Sequence, residues 1–286
     1  MQMKKSNWLL MSVVCLLFLV AGCGKNLGDE EVEIGGKVIE EDDKIIVEGE
    51  SNLLPGARLT GQVLVDDGEE VFTDTSEIVD EDGSFRMEMD HHQYGEAEVV
   101  VTFDFSSMQD EQIREHYGEN GEQLEGPYVY LDEHWNELRK KAEVRVLLPQ
   151  DADTDTHELT APEWQEKPDD YGDPRVWIEV DEITSDKEFF YITGRSNLHE
   201  GSYLTGRYSR TNKRDATRVN PDGTFEMKIE YEFSEEPYFT FEFRPSASQQ
   251  WGIIRETYGS DGEKLVGQHG RPPGSVPALP RPAALA

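Results

Sequence analysis

The chain has 286 residues, with 60 Asp and Glu against 27 Lys and Arg, a formal net charge of −33. So acidic a surface favours solubility and repels nucleic acid and anionic headgroups; phosphate-backbone recognition needs a basic face, and none is present. Two cysteines, Cys15 and Cys23, are too few for a disulfide framework or a cysteine zinc site, so the folded part depends on its hydrophobic core.

The first segment reads as an export signal. Lys4 and Lys5 form a positive start, and Trp8 to Val20 is an apolar stretch too short for a stable membrane span. It ends in Val20-Ala21-Gly22-Cys23, which resembles the lipobox of Gram-positive-type bacterial lipoproteins. The resemblance implies cleavage before Cys23, a diacylglyceryl group on that cysteine, and a protein held at the outer side of the cell membrane. Two acyl chains anchor far better than one. The expected organisation is a signal peptide over 1–22 and a lipidated tether over 23–30.

Beyond the tether the chain is duplicated. "SNLLPGARLTG" at Ser51–Gly61 returns as "SNLHEGSYLTG" at Ser196–Gly206, and "DEDGSFRMEM" at Asp80–Met89 returns as "NPDGTFEMKI" at Asn220–Ile229. "VTFDF" at Val101–Phe105 matches "FTFEF" at Phe239–Phe243, and "IREHYGENGEQLEG" at Ile113–Gly126 matches "IRETYGSDGEKLVG" at Ile254–Gly267. Matched blocks in one order define two modules, expected over 31–149 and 175–267. Between them, 150–174 is rich in Asp, Thr and Pro, lacks periodicity, and reads as an acidic linker.

Each module alternates with a period of two. Leu59, Gly61, Val63 and Val65 fall on one face of a strand, with Arg58, Thr60 and Gln62 on the other; Val99, Val101, Phe103 and Phe105 do the same, as do Phe239, Phe241 and Phe243. Short strands between Gly, Pro, Asn and Asp turns predict a mainly all-β fold, two tandem antiparallel β-sandwiches. In the repeated phrase, Gly49 and Gly194 end a strand and Gly56 and Gly201 complete a turn. The residues before those turns, Leu54-Pro55 and His199-Glu200, are expected to be exposed. Asp82-Gly83 and Asp222-Gly223 are tight turns feeding Phe85 and Phe225 inward. This pattern of turns and strands resembles the immunoglobulin-like modules of bacterial surface proteins, without the Cys and Trp core of antibody domains. One short helix interrupts each module: Ser107 with Asp110 suggests a capping box, Ile113 and Tyr117 share a face, and Gly118 stops it; Trp251, Ile254, Tyr258 and Gly259 repeat the pattern.

Catalytic signatures are missing. There is no Gly-x-Ser-x-Gly, His-Glu-x-x-His or phosphate loop, and His91-His92 read as an exposed turn. Asp151, Asp153, Asp155 and Glu158 have the rhythm of a calcium loop. Thr156 stands where that loop needs glycine, though, and Pro162 where it needs glutamate, so no metal and no cofactor are expected. Three readings of function remain. The first is a non-enzymatic binding or scaffold pair whose partner is an envelope or extracellular protein or polysaccharide. The others are a calcium-stiffened adhesin-like stalk and an enzyme with an unrecognised carboxylate site. Duplication favours the first, since tandem modules add avidity or reach.

The tail breaks the pattern. After Gly126 the first copy continues to "KKAEVRVLLP" at Lys140–Pro149, a good closing strand, whereas Gly267 is followed by a proline-rich stretch with no acidic residue. The second module is therefore expected to lack its last strand, with 268–286 disordered and Tyr238–Phe243 an exposed edge.

The anchor is testable at once. Cys23→Ala should move the protein from the membrane fraction to the soluble one, and a variant still membrane-bound after a salt wash would remove the lipid assignment.

Overall fold

The computed structural model describes residues 26–41, 43–65, 70–90, 96–106, 109–149, 154–209, 211–232, 238–266 and 275–277. Cys23, His91, His92, Ser107, Asp151 and Asp153 lie outside them.

The first module begins with β1 (Ile34–Glu41), β2 (Lys44–Ser51), β3 (Arg58–Val65), β4 (Glu70–Ile78), β5 (Ser84–Asp90) and β6 (Ala97–Phe103). A helix α1 (Glu111–Tyr117) precedes β7 (Val129–His134), β8 (Glu137–Leu148) and β9 (Thr156–Leu159). Two sheets form, in the orders β5-β2-β1-β9 and β4-β3-β6-β8-β7. The second module contains β10 (Ile178–Ser185), β11 (Phe189–Ser196), β12 (Tyr203–Tyr208), β13 (Arg214–Arg218), β14 (Thr224–Glu230), β15 (Tyr238–Phe243), α2 (Gly252–Tyr258) and β16 (Ser275–Pro277). Its sheets run β10-β11-β14 and β13-β12-β15-β16. Every strand pairing is antiparallel.

That order is immunoglobulin-like. The first, second and fifth strands of each module form one sheet. The third and sixth, with a strand C-terminal to the helix, form the other, and the fourth strand is added at that sheet's edge.

Alternation becomes burial as expected. Leu59, Val63, Val99, Val101 and Phe103 are fully buried, as are Phe225 and Phe239, with Phe85 and Phe241 nearly so. Gly49 and Gly194 explain part of the repeat. A Cβ on either would run into the ring of Phe85 or Phe225 respectively, so the strand end must be glycine for the ring to lie flat across it.

Both helices are short and are held by packing rather than by propensity. Their N-caps, Asp110 and Trp251, make no side-chain cap bond, which corrects the expected capping box. Ile113, Tyr117, Ile254 and Tyr258 are buried instead. The Tyr117 hydroxyl accepts from the Leu54 N–H at 3.0 Å and the Tyr258 hydroxyl from the His199 N–H at 2.9 Å. Burial pushes the Tyr117 hydroxyl up to about 12 against the opposing Leu54 N–H, so it stays protonated.

Two boundaries need correction. Thr156–Leu159 pairs with Gly36–Ile39, so the first module reaches Leu159 and the expected linker begins as a strand. Ser275–Pro277 pairs with Tyr238–Thr240, giving the second module a three-residue strand where the first has the twelve-residue β8. The expectation of an unpaired edge and of disorder throughout 268–286 therefore fails at that point. A β-branched Val276 sits between Ser275 and Pro277, and Pro277 falls at the end of the pairing, where a missing N–H costs least.

Phe225→Ala should destabilise the second module by about 3–5 kcal/mol, read by denaturant unfolding. An unchanged transition would show that the ring does not fill the core.

Candidate functional site

The structure brings the modules together through one hairpin and one connecting segment. In β8, Ala142, Val144 and Val146 face the core, so Lys141, Glu143 and Arg145 face out. Trp135 and Asn136, at φ 53° and 63°, make the two-residue turn that folds β7 back along β8, placing Tyr130 opposite Lys141. The connecting segment then ties both modules. The Trp164 indole donates to the Pro127 carbonyl at 2.6 Å and meets Tyr130 edge-on at 5.5 Å, while the Gln165 N–H donates to Asp222 at 2.8 Å.

Among the described residues, two hydrogen bonds cross directly. The Leu131 N–H donates to the Glu200 carboxylate at 2.6 Å, and the Gly252 N–H donates to the Glu133 carboxylate at 2.5 Å. The second satisfies an amide at the start of α2 that the helix itself leaves open. Glu200 is only 8% exposed, which corrects the expectation that the centre of the repeated phrase is free surface. Its N–H donates to the Tyr171 hydroxyl at 2.7 Å. Beside it, Gly201 at φ +79° lies against the Trp251 ring where no Cβ would fit. Arg218 stacks 4.5 Å above that ring and donates to the carbonyls of Gly201 at 2.7 Å and Gln249 at 2.8 Å.

A cleft of about 650 Å³ lies between the modules, lined by Tyr130, Glu143, Arg145, Glu200, Arg218 and Trp251 among others. Glu143 is 4% exposed and bonded to Lys141 at 2.6 Å and Arg145 at 2.8 Å, with the Thr102 hydroxyl donating at 3.2 Å. Burial would raise its carboxyl, but the two cations outweigh that and hold it below the usual range. Arg145 continues the network to Glu98 at 2.8 Å. Glu200 goes the other way: burial raises it, and neither the Leu131 N–H nor the more distant lysines restore the usual value. Burial likewise raises the Tyr130 hydroxyl.

The residues singled out from sequence do not meet here. Cys23, Asp151 and Asp153 lie outside the described residues. Asp155 and Glu158 are exposed; the Asp155 carbonyl accepts from the Glu40 N–H at 2.8 Å, and Glu158 stands opposite Lys37 in the sheet. No group of three His, Cys, Asp or Glu suited to a metal occurs among the described residues. Sequence reasoning missed Tyr130, Glu143, Glu200 and Trp164. The Lys-Ala-Glu-Val-Arg alternation at 141–145 was the available signal for Glu143, since it puts a carboxylate between two cations on one face.

No family model and no curated protein matches the chain. Two solved structures show faint likeness. One is described as "Structural insight into host cell surface retention of a 1.5-MDa bacterial ice-binding adhesin", at 12% identity and a TM-score of 0.19, with 77% of this chain and 60% of that one covered. The other is a two-domain fibronectin type III segment of chicken tenascin, at 9% identity and a TM-score of 0.16, with 73% and 89% covered. The fold assignment rests on the strand order, not on these scores. Among the described residues no helix is long and apolar enough to cross a membrane.

The two carboxylates should respond to pH in opposite senses. With its folded value raised, Glu200 contributes stability that is present below the ordinary glutamate range and lost as pH rises through the folded value; Glu143, with its folded value lowered, contributes above that range and loses it on acidification. Glu200→Gln keeps an acceptor for the Leu131 N–H. Its melting temperature should match wild type in acid and exceed it increasingly toward neutral pH. A variant less stable than wild type at neutral pH would contradict the assignment.

Proposed function

We propose that the protein is a lipid-anchored extracellular lipoprotein whose two immunoglobulin-like modules act as a non-enzymatic binding or scaffold pair. Its membrane attachment would be the lipid on Cys23, and its partner an envelope or extracellular protein or polysaccharide. The observation that carries this reading is the joint itself. The Glu200 and Glu133 carboxylates each accept a backbone N–H from the opposite module, beside a cleft lined with aromatic and charged side chains. A hinge bonded in this way presents two sets of loops in one orientation, which reduces the ordering cost of binding.

The stalk reading loses its reason for calcium, since protein hydrogen bonds already tie the segment through Trp164 and Gln165. One observation favours the enzyme reading: Glu143 and Glu200, facing one cleft, have their carboxyls shifted in opposite directions. Against it, Glu143 is held by two cations and Glu200 by a backbone amide, so neither carboxylate is uncommitted.

The test is retention of the full chain on immobilised envelope protein and polysaccharide fractions, compared with Arg145→Ala and Trp251→Ala. Wild-type retention that weakens in both variants supports the cleft, and equal retention removes it. Hydrolysis of an envelope glycoside that disappears in Glu143→Gln would replace the binding reading with a catalytic one.

A further inference from the structure

The two modules differ in charge on the outer face of the sheet that contains β12, β13 and β15. There Arg207 stands directly opposite Arg214 in the antiparallel register. Like charges facing each other across a strand pair oppose sheet formation. Both side chains are exposed, and among the described residues neither forms an ion pair or side-chain hydrogen bond. The nearby acids are already engaged. Glu242 pairs with Arg244 at 2.6 Å, and the Asp215 carboxylate accepts from the N–H groups of Ala216 at 2.7 Å and Lys228 at 2.8 Å. A groove of about 400 Å³ opens at this place, lined by Tyr203, Ala216, Arg207, Arg214 and Arg244 among others, with the engaged carboxylates of Asp215 and Glu242 also in its wall.

The first module shows that the fold does not need these cations. Its counterparts of Arg207 and Arg214 are Gln62 and Asp74, also paired across the strands, and by strand register Arg244 matches Asp104. In a chain of net charge −33, one copy has gathered three arginines on a face where the other has none of them.

We propose that this face is a binding site for a ligand carrying a single oxyanion group, a carboxylate or a phosphate monoester, with Arg207 and Arg214 as its cations. A guanidinium presents a planar fork of donors matched to such a group, and an anion between the two arginines would convert their repulsion into two charge-assisted contacts. Tyr203 and Ala216 supply an apolar floor for the body of the ligand. A single group is favoured over a polyanion because the acidic remainder of the surface repels extended negative charge, while screening limits that repulsion to roughly 8 Å at physiological salt.

The experiment titrates the full chain at low salt with inorganic phosphate and, separately, with glucuronate, by calorimetry. The expected result is binding of at least one probe, weakened about tenfold or more in Arg207→Gln/Arg214→Gln and reduced by added salt. Phosphate alone would assign a phosphoryl ligand, glucuronate alone a carboxylate one, and both a general oxyanion site. No binding of either probe at millimolar concentration, or unchanged binding in the double variant, would overturn the proposal. Because the groove lies apart from Glu143 and Arg145, either result leaves the reading of the cleft to its own test.

Discussion

One buried amide in each module holds both backbone groups of the residue that opens the third strand. Gln109 accepts from the Arg58 N–H at 2.9 Å and donates to its carbonyl at 2.8 Å; Gln250 does the same for Tyr203, at 2.9 Å in both directions. The same amide nitrogen also donates to the chain leaving the sixth strand, at Asp104 and Arg244. Among the described residues there is no cysteine to tie these segments, so a satisfied polar side chain does it, without the penalty of an unpaired buried group. The helix starts a residue or two later, and its tyrosine reaches back to the turn at Leu54 or His199. Asn52 and Asn197 complete the corner. Each accepts from an incoming backbone N–H, of Glu33 and Trp177, and donates to a carbonyl of that incoming segment, of Glu31 and Arg175. The repeated Ser-Asn-Leu phrase is therefore a junction where three chain segments are fastened, which is why the two copies share it.

Much of this was legible. Strand alternation is a direct image of burial, so Phe85 and Phe225 could be paired as core residues from the sequence. The match of Phe103 with Phe241 is off by two residues: Phe103 stands opposite Leu59 as Phe243 stands opposite Leu204, and Phe241 takes the place of Val101. The Asp-Gly turns were legible for a similar reason: the Asp82 and Asp222 side chains accept from the backbone two residues on, a local bond that sequence spacing reveals. The unread part is non-local. Glu200 looks like a turn residue until Leu131, 69 positions earlier, is placed beside it. The segment after Pro149 looks like a linker because its strand pairs with Gly36–Ile39, far back in the chain, and its tryptophan docks on Pro127. The missing helix cap has the same origin, since burial of Ile113 and Tyr117 fixes α1 without one.

What the copies keep and what they change differ in kind. The glycines under the phenylalanines, the Asn and Gln brackets and the helix tyrosine are retained, and all of them serve the interior or the junction. Core positions change in size, with Val63 and Val99 where the second module has Tyr208 and Phe239. The changes of charge lie outside the cores: Pro55 against Glu200 in the turn, and Gln62 and Asp74 against Arg207 and Arg214 on the sheet. A substitution on the outer face is not constrained by core packing, so it is free to follow whatever that face meets.

This difference bears on the stalk reading. A stalk of equivalent modules needs a joint that works at every junction, with the same residues on each side. Here one side of the joint is the β7 hairpin, and the described residues of the second module hold no corresponding strand. The other side is Glu200, where the first module carries a proline whose side chain could not accept the Leu131 N–H. The joint is built from what the copies do not share. It fixes the order of these two modules and their faces relative to one another, as a paired binding unit requires and a repeating spacer does not.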